Sequence, residues 1–239
     1  MIKLDLPNKP AQLTDEVQQN LTDEYKKNGT DVWNKPFIKK AVQNLAFGKC
    51  CYSEIELTGG GKYMEIDHFY PKKLFPDKVI EWGNLLPSVK TCNVTKGDYN
   101  TMLEPIINPF VDNPKEHLYI ENYRFYGKTD LGKLTIEKVA LNHRTQFVEK
   151  RFEIGDKILE KLEDIKFDIG VVDDKRLFAR FIRLLKENTR ESEYSASCST
   201  IILESEDFKV IESYFAGKNL LDDEFETIKN DLIFCALPK

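Results

Sequence analysis

An adjacent carboxylate and imidazole, Asp67 and His68, are followed by Asn84, Asn93 and Lys96, with Lys72 close behind the pair. A neutral imidazole near its unperturbed pKa can take a proton from water at neutral pH. A carboxylate joined by other oxygen ligands suits a hard divalent cation such as Mg²⁺ or Mn²⁺. Metal-assisted hydrolysis is therefore the chemistry this stretch can support. An isolated Asp-His dipeptide more often marks a surface loop, so its company decides.

That company comes in four pieces. They are Cys50-Cys51-Tyr52-Ser53-Glu54, then Glu65-Ile66-Asp67-His68-Phe69-Tyr70-Pro71-Lys72, then Trp82-Gly83-Asn84-Leu85-Leu86-Pro87-Ser88, then Cys92-Asn93-Val94-Thr95-Lys96-Gly97. Each is weak alone, but their order and spacing are specific. The set resembles the HNH nucleases, in particular the PtuB-like subgroup associated with retrons and with Septu anti-phage systems. In that subgroup the pattern is approximately Cys-x-Tyr-Cys-Glu, Ile-Asp-His-Phe-x-Pro-Lys, and Trp-x-Asn-Leu-Leu-x-Ser-Cys-x-x-Cys-Asn-x-x-Lys-Gly. The core match spans residues 49–97, and a looser one continues through Asn108-Pro109 and Ala140-Leu141-Asn142 to Arg151.

The resemblance implies a ββα-metal unit in which His68 ends the first strand and acts as general base. Asn84 would orient it. Asp67 and Asn93 would be the protein ligands of one catalytic Mg²⁺ or Mn²⁺, and Lys72 and Lys96 would contact nucleic acid. Adjacent side chains diverge in a regular strand, so a bend at the strand end is expected to bring Asp67 and His68 to one site. His117 and His143 lack comparable neighbours and read as ordinary polar histidines. Asn84 could equally be a turn residue, and Asn93 a helix-start residue.

Two positions depart from the family pattern. Ser53 stands where the second cysteine of the first knuckle would be, and Val89 where the first cysteine of the second would be. A structural zinc needs four well-placed ligands, and only Cys50 and Cys92 remain of the four. No structural zinc is expected. Val89 is expected to fill the space with apolar volume and Ser53 to hydrogen-bond the backbone, with rescue by Cys51 and a histidine such as His117 a remote alternative.

The elements that must position these residues are mostly helical. Leu13, Val17, Leu21 and Tyr25, followed by Asn28-Gly29, predict a helix over 14–28. A second helix follows, with Asn34 as cap, Pro36 in its first turn and Gly48 at its end. Between residues 50 and 100 periodicity weakens and Gly59-Gly60-Gly61 appears, as in a loop-rich site. Residues 119–126 read as a strand. Beyond Thr135 the chain turns helical: a short helix with Ile136 and Val139, one capped by Asn142 and carrying Phe147 to Leu162, one opened by Asp173-Asp174, and two over 206–215 and 222–234. Trp82, Leu85, Leu86, Cys198 and Cys235 read as core.

Composition sets outer limits. With 239 residues, 41% apolar and 31% charged, and 15 Phe and 10 Tyr, the chain can bury a substantial core and is not of disordered type. The N-terminus has no apolar signal region and no run of 18 apolar residues occurs, so a cytoplasmic protein without membrane spans is expected. Five irregularly spaced cysteines argue against a disulfide framework. The net charge of -5 argues against unaided tight binding to nucleic acid, although Lys62, Lys72, Lys73, Lys90 and Lys96 could form a local basic patch.

The sequence thus predicts an α+β, predominantly helical protein: a helical region over 1–48, an HNH ββα-metal nuclease module over 49–100, and a mainly helical region over 101–239. By resemblance it is a DNA endonuclease of a defence system, acting with an AAA/ABC-type ATPase partner of the PtuA kind and, where a retron accompanies it, with its reverse transcriptase and nucleic acid. The rival readings are a catalytically silent HNH scaffold, against which the retention of Asp67 and His68 speaks, and an RNase using the same site.

Overall fold

A computed structural model describes residues 1–57 and 63–239. The Gly59-Gly60-Gly61 run and Lys62 lie outside the described residues. The protein is α+β and predominantly helical, as the periodicity predicts.

Helix α1 (Asp15–Asn28) is delimited by local chemistry. Thr14 caps its N-terminus on the Val17 amide, Asp15 and Glu16 face the positive end of its dipole, and Gly29 closes it at φ +67°. The next helix starts differently from expectation. Asn34 ends a 3₁₀ turn (Val32–Asn34) and does not cap; Lys35 takes the cap position without a side-chain bond, and α2 (Pro36–Asn44) begins on Pro36. Proline suffices there because its fixed φ suits the first turn and its missing N–H would have no partner.

Strands β1 (Met64–His68) and β2 (Leu85–Val89) form an antiparallel hairpin, followed directly by α3 (Lys90–Lys96). The hairpin is covered on both faces, which follows from its period of two. Ile66 and Leu85 join Leu21, Trp33, Ile38 and Val42 in a core with α1 and α2. Leu86, on the opposite face, joins Tyr52, Cys92 and the C-terminal helices in the larger core, as does Val89 at the end of the strand. The N-terminal helical pair therefore packs against the site segment, and the chemistry is held from both sides.

Residues 119–126 are not one strand. They form a hairpin of β3 (Leu118–Glu121) and β4 (Arg124–Gly127), after the short helix α4 (Pro114–His117). Asn122 and Tyr123 make the two-residue turn, both at positive φ (49° and 63°). Asn-Gly would have signalled such a turn; Tyr in the second place concealed it.

Helix α5 (Asp130–Lys138) starts earlier than predicted, because Thr129 caps it on the Gly132 amide. Asn142 does not cap the following helix. Its side chain bonds the N–H and C=O of Phe125, and His143 caps a π-helical turn (Arg144–Val148) that leads into α6 (Glu149–Phe167). Arg151, on α6, is buried and donates to the Tyr123 and Leu141 carbonyls, pinning the β3–β4 turn. The bundle is completed by α7 (Asp174–Lys186), capped by Asp173 as expected, α8 (Ser195–Glu204), α9 (Glu206–Gly217) and α10 (Asp223–Cys235). Helix α8, with the sequence SASCSTIILE, escaped prediction. It is buried on nearly every side, so it shows no amphipathic stripe. Among the described residues no helix is long and apolar enough to cross a membrane.

Candidate active site

Asp67 and His68 are the last two residues of β1, paired with Leu86 and Leu85. As adjacent strand residues they point apart, yet both line a cleft of about 140 Å³ with Ile66, Pro71, Lys72, Asn93, Gly97 and Asp98. No bend separates the two, since the strand runs through His68; the chain bends at Phe69 and Tyr70, beyond the pair.

His68 is only 4% exposed, so it is a built-in residue and not a loose loop histidine. Its ring packs edge-on against Trp33, 4.8 Å between centroids, and Nε2 lies 3.0 Å from the Val79 carbonyl oxygen. A carbonyl can only accept, so Nε2 carries the proton and Nδ1 holds the lone pair. Burial, reinforced by the Lys72 ammonium, pushes the imidazole from 6.5 down to about 4. The ring is therefore neutral throughout the physiological range.

Asn84 secures that geometry from behind. Its Oδ1 accepts from the Tyr70 amide at 2.6 Å, and its Nδ2 donates to the carbonyls of Tyr70 (3.1 Å) and Lys78 (2.8 Å). One side chain thus closes the 70–78 loop, whose next residue supplies the carbonyl that orients His68. Asn84 is a turn residue that braces the loop carrying Val79, and among the described residues its side chain bonds that loop and not His68 itself.

Asn93, on α3, lines the cleft and donates from Nδ2 to Glu65 Oε2 at 2.8 Å. Among the described residues its amide oxygen accepts no hydrogen bond. Glu65 and Asp67 share a strand face, which is the side on which α3 packs. Lys72 is half-buried at the cleft, its ammonium 4.7 Å from the Trp33 ring centroid, where a cation sits favourably on the aromatic face.

Lys96 is placed otherwise than expected. It is 3% exposed, and its ammonium donates to Asp67 Oδ1 at 2.8 Å and to the His68 carbonyl at 2.7 Å. The lysine of the fourth motif is thus an internal ion-pair partner and not a surface contact for phosphate. The Tyr52 hydroxyl donates to the other oxygen, Asp67 Oδ2, at 2.7 Å.

Oxygen donors at the cleft, the Asp67 carboxylate and the Asn93 amide, are of the type Mg²⁺ or Mn²⁺ accepts with waters completing the shell. Each Asp67 oxygen accepts one hydrogen bond and retains a lone pair, so the donor set fits such an ion. Among the described residues no group of three or more His, Cys, Asp or Glu is placed to hold a metal. That covers the two knuckles. Cys50, Cys51 and Cys92 are buried together, with Ser88 Oγ 3.9 Å from Cys50 Sγ. Burial pushes the Cys51 and Cys92 thiols up; Cys50 is buried too, but the neighbouring Cys51 and Cys92 thiols, as donors, hold it well below its usual value. Cys51 has entered the cluster, but Val89 offers no donor and packs in the core, so the cluster does not fit a four-ligand zinc. Contrary to expectation, the buried Ser53 hydroxyl bonds no backbone group.

Sequence reasoning missed Tyr52, Trp33, Glu65 and the Val79 carbonyl. Tyr52 is the tyrosine of the first motif, and Glu65 lies two residues before Asp67 on the same strand face, so both left a signal. Trp33 and Val79 left none, because only tertiary packing brings them to His68. His117 and His143, as expected, make local contacts, to Thr129 Oγ1 and to the Gln146 amide.

The chain is 40% identical over 217 residues to the Septu protein PtuB of Bacillus thuringiensis, an alignment that covers 87% of this chain and 84% of the relative. The chain belongs to the PtuB family. No protein-family profile matches it, and no solved structure matches it. This family member therefore carries the Asp67, His68, Asn84 and Asn93 constellation in a chain related to PtuB along most of its length.

Proposed function

We propose that the chain is an HNH-type, metal-dependent endonuclease that hydrolyses DNA as the nuclease component of a Septu anti-phage defence system. The observation that carries this reading is the state of His68: Nε2 is committed to Val79, and Nδ1 is an unprotonated base at a cleft shared with Asp67, Asn93 and Lys72.

In this reading His68 Nδ1 takes a proton from water as the water oxygen forms its bond to phosphorus. The phosphorus–oxygen bond to the leaving nucleotide breaks, and that oxygen takes up a proton from solvent. Asn84 holds the 70–78 loop and, through Val79, the tautomer of His68. Asp67 and Asn93 would hold a Mg²⁺ or Mn²⁺, which when bound stabilises charge on the phosphate and on the departing oxygen. Lys72, steadied on Trp33, would meet a phosphate as a point charge. An ATPase partner of the PtuA kind would bring this acidic chain to DNA, since a net charge of -5 supplies little field of its own.

A second reading, a silent HNH scaffold, is favoured by one observation: Tyr52 and Lys96 engage both oxygens of Asp67. Incubation of the purified chain and its ATPase partner with DNA and with RNA, each with and without Mg²⁺ or Mn²⁺, separates the readings. Divalent-dependent DNA cleavage supports the proposal, RNA cleavage alone supports the RNase reading, and no cleavage of either supports the scaffold.

A further inference from the structure

We propose that Lys96 is a built-in occupant of the cation position at Asp67, so that its ammonium and a divalent metal compete for the same carboxylate. The proposal rests on the metal-dependent reading and concerns how that site is controlled. A carboxylate as buried as Asp67 must be neutralised or heavily hydrogen-bonded. Lys96 does this from inside the fold: its side chain has no solvent exposure, and its ammonium lies 2.8 Å from Asp67 Oδ1. Its second acceptor, the His68 carbonyl at 2.7 Å, belongs to the neighbouring residue of the pair, so the ammonium sits on the backbone of the catalytic strand.

Like charges at such range repel strongly. An ammonium and a divalent ion sharing one carboxylate in a site largely closed to water therefore weaken each other's binding even with generous screening. Metal entry is therefore opposed until further negative charge enters the cleft. A nucleic-acid phosphate supplies that charge without touching Lys96: bound beside the metal, it offsets the repulsion between metal and ammonium, so metal and substrate are expected to bind cooperatively. The chain alone would be a poor metal binder and correspondingly silent.

Mn²⁺ affinity of the full chain without nucleic acid, measured by electron paramagnetic resonance, tests this with Lys96→Gln as the comparison. Glutamine retains amide donors towards Asp67 Oδ1 and the His68 carbonyl while removing the charge. The expected result is Mn²⁺ binding tighter by about tenfold or more in Lys96→Gln. Equal affinities would overturn the competition and leave the metal-dependent reading intact. Binding to neither protein would overturn both. Should Lys96→Gln fail to fold, the Lys96 ¹⁵Nζ resonance of the unaltered chain decides: it should shift as Mg²⁺ saturates the protein, and a resonance unmoved at saturation would overturn the proposal.

Discussion

His68 Nε2 and the Val79 carbonyl oxygen meet at 3.0 Å, joining the end of β1 to the far end of the loop that Asn84 closes. This bond fixes which imidazole nitrogen keeps its lone pair, and it also makes His68 structural. His68→Ala should therefore abolish cleavage and lower stability by roughly 1–3 kcal/mol, since it leaves a buried carbonyl unpaired and a space beside Trp33. Urea denaturation of both proteins measures the second effect, and a loss under 0.5 kcal/mol would argue that the Val79 bond is not formed in solution.

The depressed basicity of His68 has a sign. Its folded value of about 4 lies below the 6.5 of the free side chain, so between these the unfolded state binds a proton that the folded state does not. Stability from this group is present above 6.5 and lost as pH falls towards 4. The slope is at most about 1.4 kcal/mol per pH unit. His68→Gln, which keeps a donor for Val79, should flatten the stability of the chain between pH 6 and 4.5 relative to the unaltered protein. Parallel pH profiles for the two would show that His68 titrates normally.

Asn84→Ala should cost roughly 2–4 kcal/mol, because three backbone groups of the 70–78 loop lose their partner at once. Activity should fall with it through displacement of Val79. Asn84→Asp, which keeps the acceptor for the Tyr70 amide but sets a buried carboxylate against the Tyr70 and Lys78 carbonyls, should be at least as destabilised as Asn84→Ala. An Asn84→Ala protein that melts with the parent would remove Asn84 from the loop's support.

Asn93→Ala should behave in the opposite way. Its single side-chain bond, to the half-exposed Glu65, is worth little, so stability should change by about 1 kcal/mol or less. Divalent-dependent cleavage should nonetheless be lost. Retained cleavage with unchanged metal dependence would exclude Asn93 as a ligand.

Elemental analysis of protein purified without chelator should find no stoichiometric zinc, since the three buried thiols lack a fourth donor at Val89. Zinc near one equivalent, lost on replacing Cys50 or Cys92 with Ser, would show that Ser53 or a water completes the shell.

Much of this architecture is legible in the residues because local chemistry decides it. Thr14 and Gly29 bound α1, Asp173 opens α7, and the order of motifs places Asp67, His68 and Asn93 about one cleft. What was not legible depends on distant partners. Asn142 looked like a helix cap, but Phe125 across the fold offered its backbone. Lys96 looked like a phosphate contact, but α3 turns it inward onto Asp67, where burial gives the ion pair more weight than exposure to solvent would. Helix α8 had no pattern to read, because it is buried all round.

The most direct test of the nuclease assignment is cleavage of supercoiled plasmid DNA by the chain with its ATPase partner in Mg²⁺ or Mn²⁺, set beside the His68→Ala chain and a chelated control. The expected result is nicking or linearisation by the unaltered chain with its partner, with none from His68→Ala and none under chelation. Equal cleavage by His68→Ala, or cleavage that survives chelation, would contradict it.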